Sequence, residues 1–203
     1  VRRALTDLPA VYLSLLALYL VSKNRLTSLG LFIAAVLTRE TTILSGIAFL
    51  DSKNKIWKQM TFILIPLLVL FAWNAYLITR FYGSFFDTGG NFDWPLLGYI
   101  KNFIREFKTP AAGINLDRAL AVPAFAGLSI QCFYFFKKCR WQNPFWKYGI
   151  GFCLLFLVLG ISVTISQRVV CRSVLPMTIA FHLLLATEEK SKARWWWFLL
   201  GNL

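Results

Sequence analysis

Long apolar runs separated by short charged turns dominate the chain. The runs lie at 8–21, 28–50, 61–79, 119–136, 145–165 and 173–186. Most come close to the roughly 20 apolar residues that a membrane helix needs. The pattern predicts an all-α, polytopic membrane protein with about six to eight membrane helices, some of them half-length. Residues 1–203 are predicted to form a single transmembrane domain, a piece of a larger membrane protein.

The first run is predicted to be a helix that starts at Thr6 or Asp7. Either residue suits the N-cap position, and Pro9 then falls in the first turn, where its missing N–H costs nothing. Near the other end of the chain, 195–200 is predicted to begin a further span anchored at the interface by tryptophan.

The second run contains two adjacent charged residues, Arg39 and Glu40, near its middle. A charged side chain deep in a bilayer costs about 2.5–3.5 kcal/mol on insertion scales, so the pair is a candidate functional site. Basic turns flank the run at 22–27 and 51–58, and short cytoplasmic loops collect Lys and Arg. The flanks favour a hairpin of two short legs, 28–37 and 41–50, with Arg39 and Glu40 at its tip. A single crossing with the pair at mid-helix stays the alternative.

A long polar connection, 80–118, follows the third run. Within it the segment 95–107 places apolar residues at helical spacing with Lys101, Arg105 and Glu106 off the apolar stripe. This predicts an amphipathic helix. It either lies at the membrane interface or packs on the rest of the protein.

Composition agrees with a membrane protein and excludes other classes. Hydrophobic residues make up 58% of the chain, charged residues 15%, and the mean hydropathy is +0.60. Lys and Arg outnumber Asp and Glu by 22 to 9, but they are scattered between apolar runs, which argues against nucleic-acid binding. The four cysteines lack metal-ligand spacing, and the only histidine, His182, is interpreted as a packed residue. No metal site is predicted.

The predicted topology gathers several charged residues on the extracytoplasmic side. They are Asp7, Arg39, Glu40, Asp87, Asp93, Arg168 and Arg172. Converging arginines suit a phosphate or diphosphate, because a guanidinium binds phosphate oxygens in bidentate fashion and keeps its charge. The competing interpretation is structural: Arg39 and Glu40 neutralise each other or neighbouring helices, while Arg168 and Arg172 extend to the lipid headgroups.

Four short motifs follow one another along the chain: Thr6-Asp7-Leu8-Pro9, Leu37-Thr38-Arg39-Glu40-Thr41, the loop with Asn91 and Pro95, and Arg172-Ser173-Val174-Leu175-Pro176. Together they resemble the GT-C superfamily of polytopic glycosyltransferases, and bacterial mannosyltransferase-like membrane proteins in particular. In the last motif Ser173 and Val174 replace the usual Tyr-Leu of that superfamily.

The resemblance implies sugar transfer from a polyprenyl-phosphate donor to a glycan or protein acceptor, on the outer face of a bacterial inner membrane, for the cell envelope. Arg39 would contact the lipid phosphate, with Arg168 or Arg172 as a second contact and Asp7 and Glu40 as supporting carboxylates. It further implies that the catalytic carboxylate precedes Val1, so the base is not among these residues, and that the full-length protein uses a divalent cation. Two other functions stay open: a transporter or flippase for a phosphorylated lipid or sugar, and a non-catalytic membrane subunit.

Overall fold

The computed structural model describes residues 6–50, 56–82, 91–108, 116–164, 166–188 and 193–202. These residues are almost entirely helical, and the extended pairing among them is one isolated bridge between Phe92 and Leu159. The all-α prediction is therefore confirmed for the part of the chain that is described. The chain divides into two compact units, Val1–Asp87 with Trp141–Tyr148, and Thr88–Arg140 with Gly149–Leu203.

The first unit is built on a helical hairpin and one long helix. Its helices are α1 (Asp7–Leu20), α2 (Arg25–Thr38), a 3-10 helix (Glu40–Phe49) and α3 (Ile56–Leu77), which continues as a π-helical turn (Ile78–Tyr82). We call the 3-10 helix the return helix. Asn24 caps α2, because its side chain accepts the N–H of Thr27 at 3.1 Å.

Aromatic packing shows that the return helix runs back along α2. Phe49 lies with its ring centroid 4.8 Å from that of Phe32 in α2 and 4.7 Å from that of Phe62 in α3. Gly46 faces Phe32 closely enough that a Cβ would just touch the ring. The predicted fold-back at Arg39 is confirmed, with legs Arg25–Thr38 and Glu40–Phe49 in place of 28–37 and 41–50.

Buried polar side chains join the apolar helices of the first unit. The Ser28 hydroxyl donates to the Ala17 carbonyl at 2.7 Å, and the Ser14 and Tyr148 hydroxyls share a hydrogen bond of 2.6 Å. The Lys147 ammonium is buried and donates to the carbonyl of Leu50, the residue that ends the return helix. A buried polar group without a partner costs free energy, so each bond holds one segment in place against another.

The second unit contains the remaining helices. They are α4 (Leu97–Lys108), α5 (Leu116–Lys137), α6 (Pro144–Val158), whose residues up to Tyr148 belong to the first unit, α7 (Ile161–Thr164), α8 (Gln167–Ser173), α9 (Leu175–Glu188) and α10 (Ala193–Gly201). The buried Gln131 of α5 connects two of them: it donates to the Gly201 carbonyl at 2.7 Å and accepts from Thr178 at 3.0 Å.

The pattern predicted one helix over 145–165, and this prediction is wrong. α6 ends at Val158, and the chain bends at Leu159 and Gly160 before the short α7. The bend forms because the loop at 91–96 bonds to it: Leu96 N–H donates to Leu157 O at 2.7 Å and Gly160 N–H to Asn91 O at 2.7 Å. Long-range hydrogen bonds therefore override the local apolar pattern.

One described helix, Gln59–Arg80, has both the length and the apolar composition to cross a membrane. Its 22 residues span about 33 Å, against a hydrocarbon core of about 30 Å. Four other apolar helices are shorter: Asp7–Leu20, Arg25–Thr38, Pro144–Val158 and Leu175–Thr187.

Two glycine substitutions test the packing of α4. A Cβ at Gly98 would overlap the carbonyl oxygen of Leu159, which is backbone and cannot move aside cheaply, whereas a Cβ at Gly30 in α2 meets no atom within 4 Å. We expect Gly98→Ala to destabilise the protein by about 1–3 kcal/mol and to speed hydrogen exchange in α4. Gly30→Ala, the matched control, should be neutral or stabilising by up to about 1 kcal/mol. Thermal unfolding in detergent and hydrogen exchange measure both, and equal effects would contradict the packing described.

Candidate functional site

The candidate site lies where α1 begins and α2 ends. Both helices have 14 residues, or about 21 Å of rise, and they run antiparallel. Asp7 sits in the first turn of α1, and Arg39 directly follows the last turn of α2. Because the two helices have equal length, the chain returns at Arg39 to the level of Asp7.

The two side chains form a partly buried ion pair. Arg39 Nη1 contacts Asp7 Oδ1, and the Asp7 side chain is 5% exposed while that of Arg39 is 20% exposed. Arg39 Nε also donates to Thr41 Oγ1 at 3.0 Å. The guanidinium is thus held from two directions, by the head of α1 and by the first turn of the return helix.

Backbone geometry explains why the chain turns here. Arg39 is extended, with φ −150° and ψ 115°, and its N–H still bonds to the Ala35 carbonyl at 3.0 Å. Its own carbonyl accepts the Thr42 N–H at 3.0 Å and starts the return helix. Arg39 therefore closes one helix and opens the next, which fixes its position on both sides.

Arg39 is neutralised by a neighbouring helix, as one form of the structural interpretation has it, and the carboxylate that does so is Asp7 of α1. Glu40 is exposed, and among the described residues the ion pair of Arg39 is with Asp7. Adjacent residues at a helix end point in different directions, so their charges do not face each other. The sequence pattern placed Asp7 on the same side as Arg39 without pairing the two, and the equal lengths of α1 and α2 appear only in the structure.

Chemically, the site presents a cation in a fixed orientation. A guanidinium oriented by a carboxylate suits an anion with several oxygens, such as a phosphate. The Asp7 carboxylate already faces a positive charge and is a poor ligand for a divalent cation, so the cation that the resemblance implies for the full-length protein stays a prediction. The described residues also hold no group of three metal-ligating side chains.

Arg168 and Arg172 both lie on α8, which belongs to the second unit. Arg172 is half-buried, and the side chain of Arg168 lies outside the described part. Arg39 is in the first unit, so the convergence of these arginines on Arg39 stays a prediction.

The other charged residues of the predicted cluster have separate positions. Asp93 accepts a hydrogen bond from Lys101 Nζ at 2.5 Å within the second unit. Asp87 lies outside the described residues. His182 is half-buried in α9 and its Nε2 lies 3.1 Å from Asn202 Oδ1, which agrees with its interpretation as a packed residue.

Lys147 is buried, which its position beside a basic turn does not indicate, because such a position is typical of a solvated residue. Its ammonium lies 5.7 Å from the ring centre of Trp141 as well as against the Leu50 carbonyl. A cation suits the C-terminal end of the return helix, where carbonyl dipoles accumulate. Arg39 and Lys147 thus contact opposite ends of the same short helix.

Comparison with protein-family models, with curated proteins and with solved structures finds no match for this chain.

Charge removal at the ion pair should be strongly non-additive. Asp7→Asn or Arg39→Gln alone leaves one buried charge uncompensated, so we expect each to lower the unfolding free energy by about 3–5 kcal/mol. The double variant removes both charges and should lose much less than the sum of the two. Unfolding in mixed detergent micelles measures this, and additive losses would contradict the pairing.

The pKa of the Asp93 carboxyl should depend on its hydrogen bond with Lys101. The hydrogen bond from Lys101, and next that from the Trp94 N–H, hold the pKa of Asp93 below its ordinary value. The contribution of this contact is therefore complete above the ordinary pKa and is lost as pH falls through the lowered one. Lys101→Gln should raise the pKa towards the ordinary value, while Arg105→Gln, whose side chain contacts Asn102 instead, should not. Carbon-13 NMR of labelled aspartate follows the titration, and a pKa unaffected by Lys101→Gln would refute the assignment.

Proposed function

We propose that this chain is part of a multi-pass integral membrane protein that binds the phosphate of a lipid-linked substrate at Arg39. The activity we propose is that of a GT-C-type glycosyltransferase with a polyprenyl-phosphate sugar donor. The observation that carries the proposal is the Arg39 guanidinium, held by Asp7 and Thr41 at the turn of an apolar helical hairpin.

Exposed apolar surface supports the membrane part of the proposal. In the helix Gln59–Arg80, 11% of the most apolar 18-residue stretch is buried. Large side chains such as Leu68 and Phe71 are more than half exposed. In a water-soluble protein, burying one such side chain fully, instead of leaving it exposed to water, stabilises the fold by about 1.5–3 kcal/mol. A helix that leaves so many uncovered suits a lipid environment, in agreement with the mean hydropathy of +0.60.

The position of Arg39 supports the phosphate part. In hydrocarbon a lone arginine is costly, and the buried Asp7 offsets that cost while leaving the guanidinium the more exposed of the two partners. An incoming phosphate would meet a cation whose orientation is set before binding. Pre-organisation of this kind lowers the ordering cost of binding.

In sugar transfer, the acceptor hydroxyl attacks the anomeric carbon, the bond from that carbon to the phosphate oxygen breaks, and the lipid phosphate leaves with the bonding electrons. A carboxylate base, which the resemblance places before Val1, takes the hydroxyl proton. Arg39 would stabilise the negative charge that grows on the departing phosphate. This chain would then supply donor binding and leaving-group stabilisation.

The test separates the phosphate role of Arg39 from its structural role. Transfer from a polyprenyl-phosphate sugar is measured in membranes that carry the full-length protein, with the Asp7→Asn/Arg39→Gln double variant and with Arg25→Gln as a matched control on the same helix. We expect the double variant to insert and fold but to transfer at least about 10²-fold more slowly, in line with the loss of one transition-state donor. Arg25→Gln should keep the wild-type rate.

A wild-type rate in the folded double variant would make the ion pair purely structural and refute the phosphate role. If the wild-type protein moves a fluorescent lipid phosphate across the bilayer but transfers no sugar, the protein is a flippase and the proposed enzymatic activity is wrong. If wild-type protein does neither, the proposed activity is wrong and a non-catalytic subunit is left.

A further inference from the structure

The helix α4 packs on its own unit through its least apolar side. Thr164 Oγ1 donates to the Gly98 carbonyl at 3.1 Å, and Asn102 Nδ2 donates to the Thr164 carbonyl at 3.0 Å. Gly98 lies so close to Leu159 that a side chain there would not fit. The contact surface of α4 is therefore made by a glycine and an amide.

Tyr99 completes this contact surface. Its ring lies between those of Phe125 in α5 and Phe156 in α6, with centroid distances of 4.8 and 5.2 Å. Gly98, Tyr99 and Asn102 share one side of α4, since residues one and four apart lie within a third of a helical turn or so of each other.

The apolar side of α4 faces away from these contacts. Ile100, Phe103 and Ile104 are 52%, 59% and 48% exposed. On a helical wheel they fall within an arc of about 100°. We call these three residues the apolar arc. An amphipathic helix in a water-soluble fold normally turns such an arc to the core, so this orientation needs an apolar medium outside the protein.

Cations border the apolar arc, and aromatic residues precede it. Lys101 and Arg105 occupy the next sector of α4, with Lys101 held by Asp93 and Arg105 Nη2 donating to Asn102 Oδ1 at 2.9 Å. Just before the helix, Phe92 and Trp94 are 63% and 79% exposed. An apolar arc bordered by basic residues, with exposed aromatic residues beside it, is typical of helices that lie in the plane of a membrane interface.

Backbone hydrogen bonds fix α4 at the end of an apolar helix. Asp93 N–H donates to Val158 O at 3.0 Å and Leu96 N–H to Leu157 O at 2.7 Å, so the loop before α4 is bonded to the last turn of α6. Leu96 holds this turn with φ 64°, a left-handed conformation that costs a side-chain-bearing residue free energy. The end of a membrane helix is where hydrocarbon gives way to headgroups.

We propose that the apolar arc of α4 lies in the headgroup region of the bilayer, with its occupant an anionic phospholipid surface. Ile100, Phe103 and Ile104 reach towards the acyl chains, while Lys101 and Arg105 stay at the level of the phosphates. This inference rests on the membrane part of the proposed function and is independent of sugar transfer.

The depth of single side chains tests the proposal. The full chain, with exposed Cys139 and Cys171 changed to serine, receives Phe103→Cys or Ile100→Cys in the arc, or Arg105→Cys as the control on the same helix. Each thiol is labelled with an environment-sensitive fluorophore and reconstituted in nanodiscs of phosphatidylcholine and phosphatidylglycerol. We expect quenching by acyl-chain spin labels to be at least about twofold stronger at 100 and 103 than at 105, because the arc lies about 5–10 Å into the boundary.

Three results would overturn it. Equal, water-like emission at 100, 103 and 105 would place α4 in solvent. Labels at 100 and 103 that are shielded from lipid but cross-link to a second copy of the chain would make the arc a protein interface. Arc quenching that stays the same in pure phosphatidylcholine would remove the anionic surface as the occupant. Alkaline extraction of the unlabelled protein tests membrane insertion separately, so a failure of the proposed function is distinguished from a failure at α4.

Discussion

The Asp7–Arg39 ion pair is the interaction on which the first unit depends. The buried Asp7 and the partly buried Arg39 are tolerated between the apolar helices α1 and α2 because they meet, and they meet because the two helices match in length. The pair therefore fixes the position of α1 along α2 and marks the end of α2 at Arg39. From there the return helix follows as a separate element, packed on α2 and α3 by Phe32, Phe49 and Phe62 and closed at its far end by Lys147. The contacts with Asp7 and Thr41 that hold Arg39 in the fold would also orient its guanidinium for a bound phosphate.

Polar side chains have a similar role across both units. Ser14, Ser28 and Gln131 are each buried and each bonds to another helix, which apolar packing alone would leave free to slide or rotate. Where helices pack without a hydrophobic driving force, small and hydrogen-bonding residues set their positions. α4 shows the same division: Gly98 and Asn102 attach it to its unit, and its large apolar side chains are exposed. The fold thus uses polar contacts inside and apolar surface outside.

Much of this could be predicted from the chain. Apolar runs predict the helices to within a few residues, because a helix in an apolar medium depends on composition and length. The turn at Arg39 was predictable from its two basic flanks, and the helix at 97–108 from its periodicity. Three features were not predictable. Asp7 as the partner of Arg39 required the packing of α1 against α2. The end of α6 at Val158 depends on bonds from a loop more than sixty residues away, and the burial of Lys147 depends on the Leu50 carbonyl, nearly a hundred residues away. Local patterns carry no information about such contacts.

We propose that the turn at Arg39 opens to the extracytoplasmic side and holds a lipid phosphate. Glu40 and Ser22 are both exposed and lie at opposite ends of the α1–α2 hairpin, so they report its two sides. The most direct measurement is the labelling rate of Glu40→Cys by a membrane-impermeant maleimide in sealed vesicles of known orientation, with and without a polyprenyl phosphate, against Ser22→Cys. The account predicts that residue 40 labels from the outside and is protected by the lipid phosphate, while residue 22 labels from the inside and is not. Labelling of both residues from one side, or labelling of residue 40 that the lipid phosphate leaves unchanged, would contradict it.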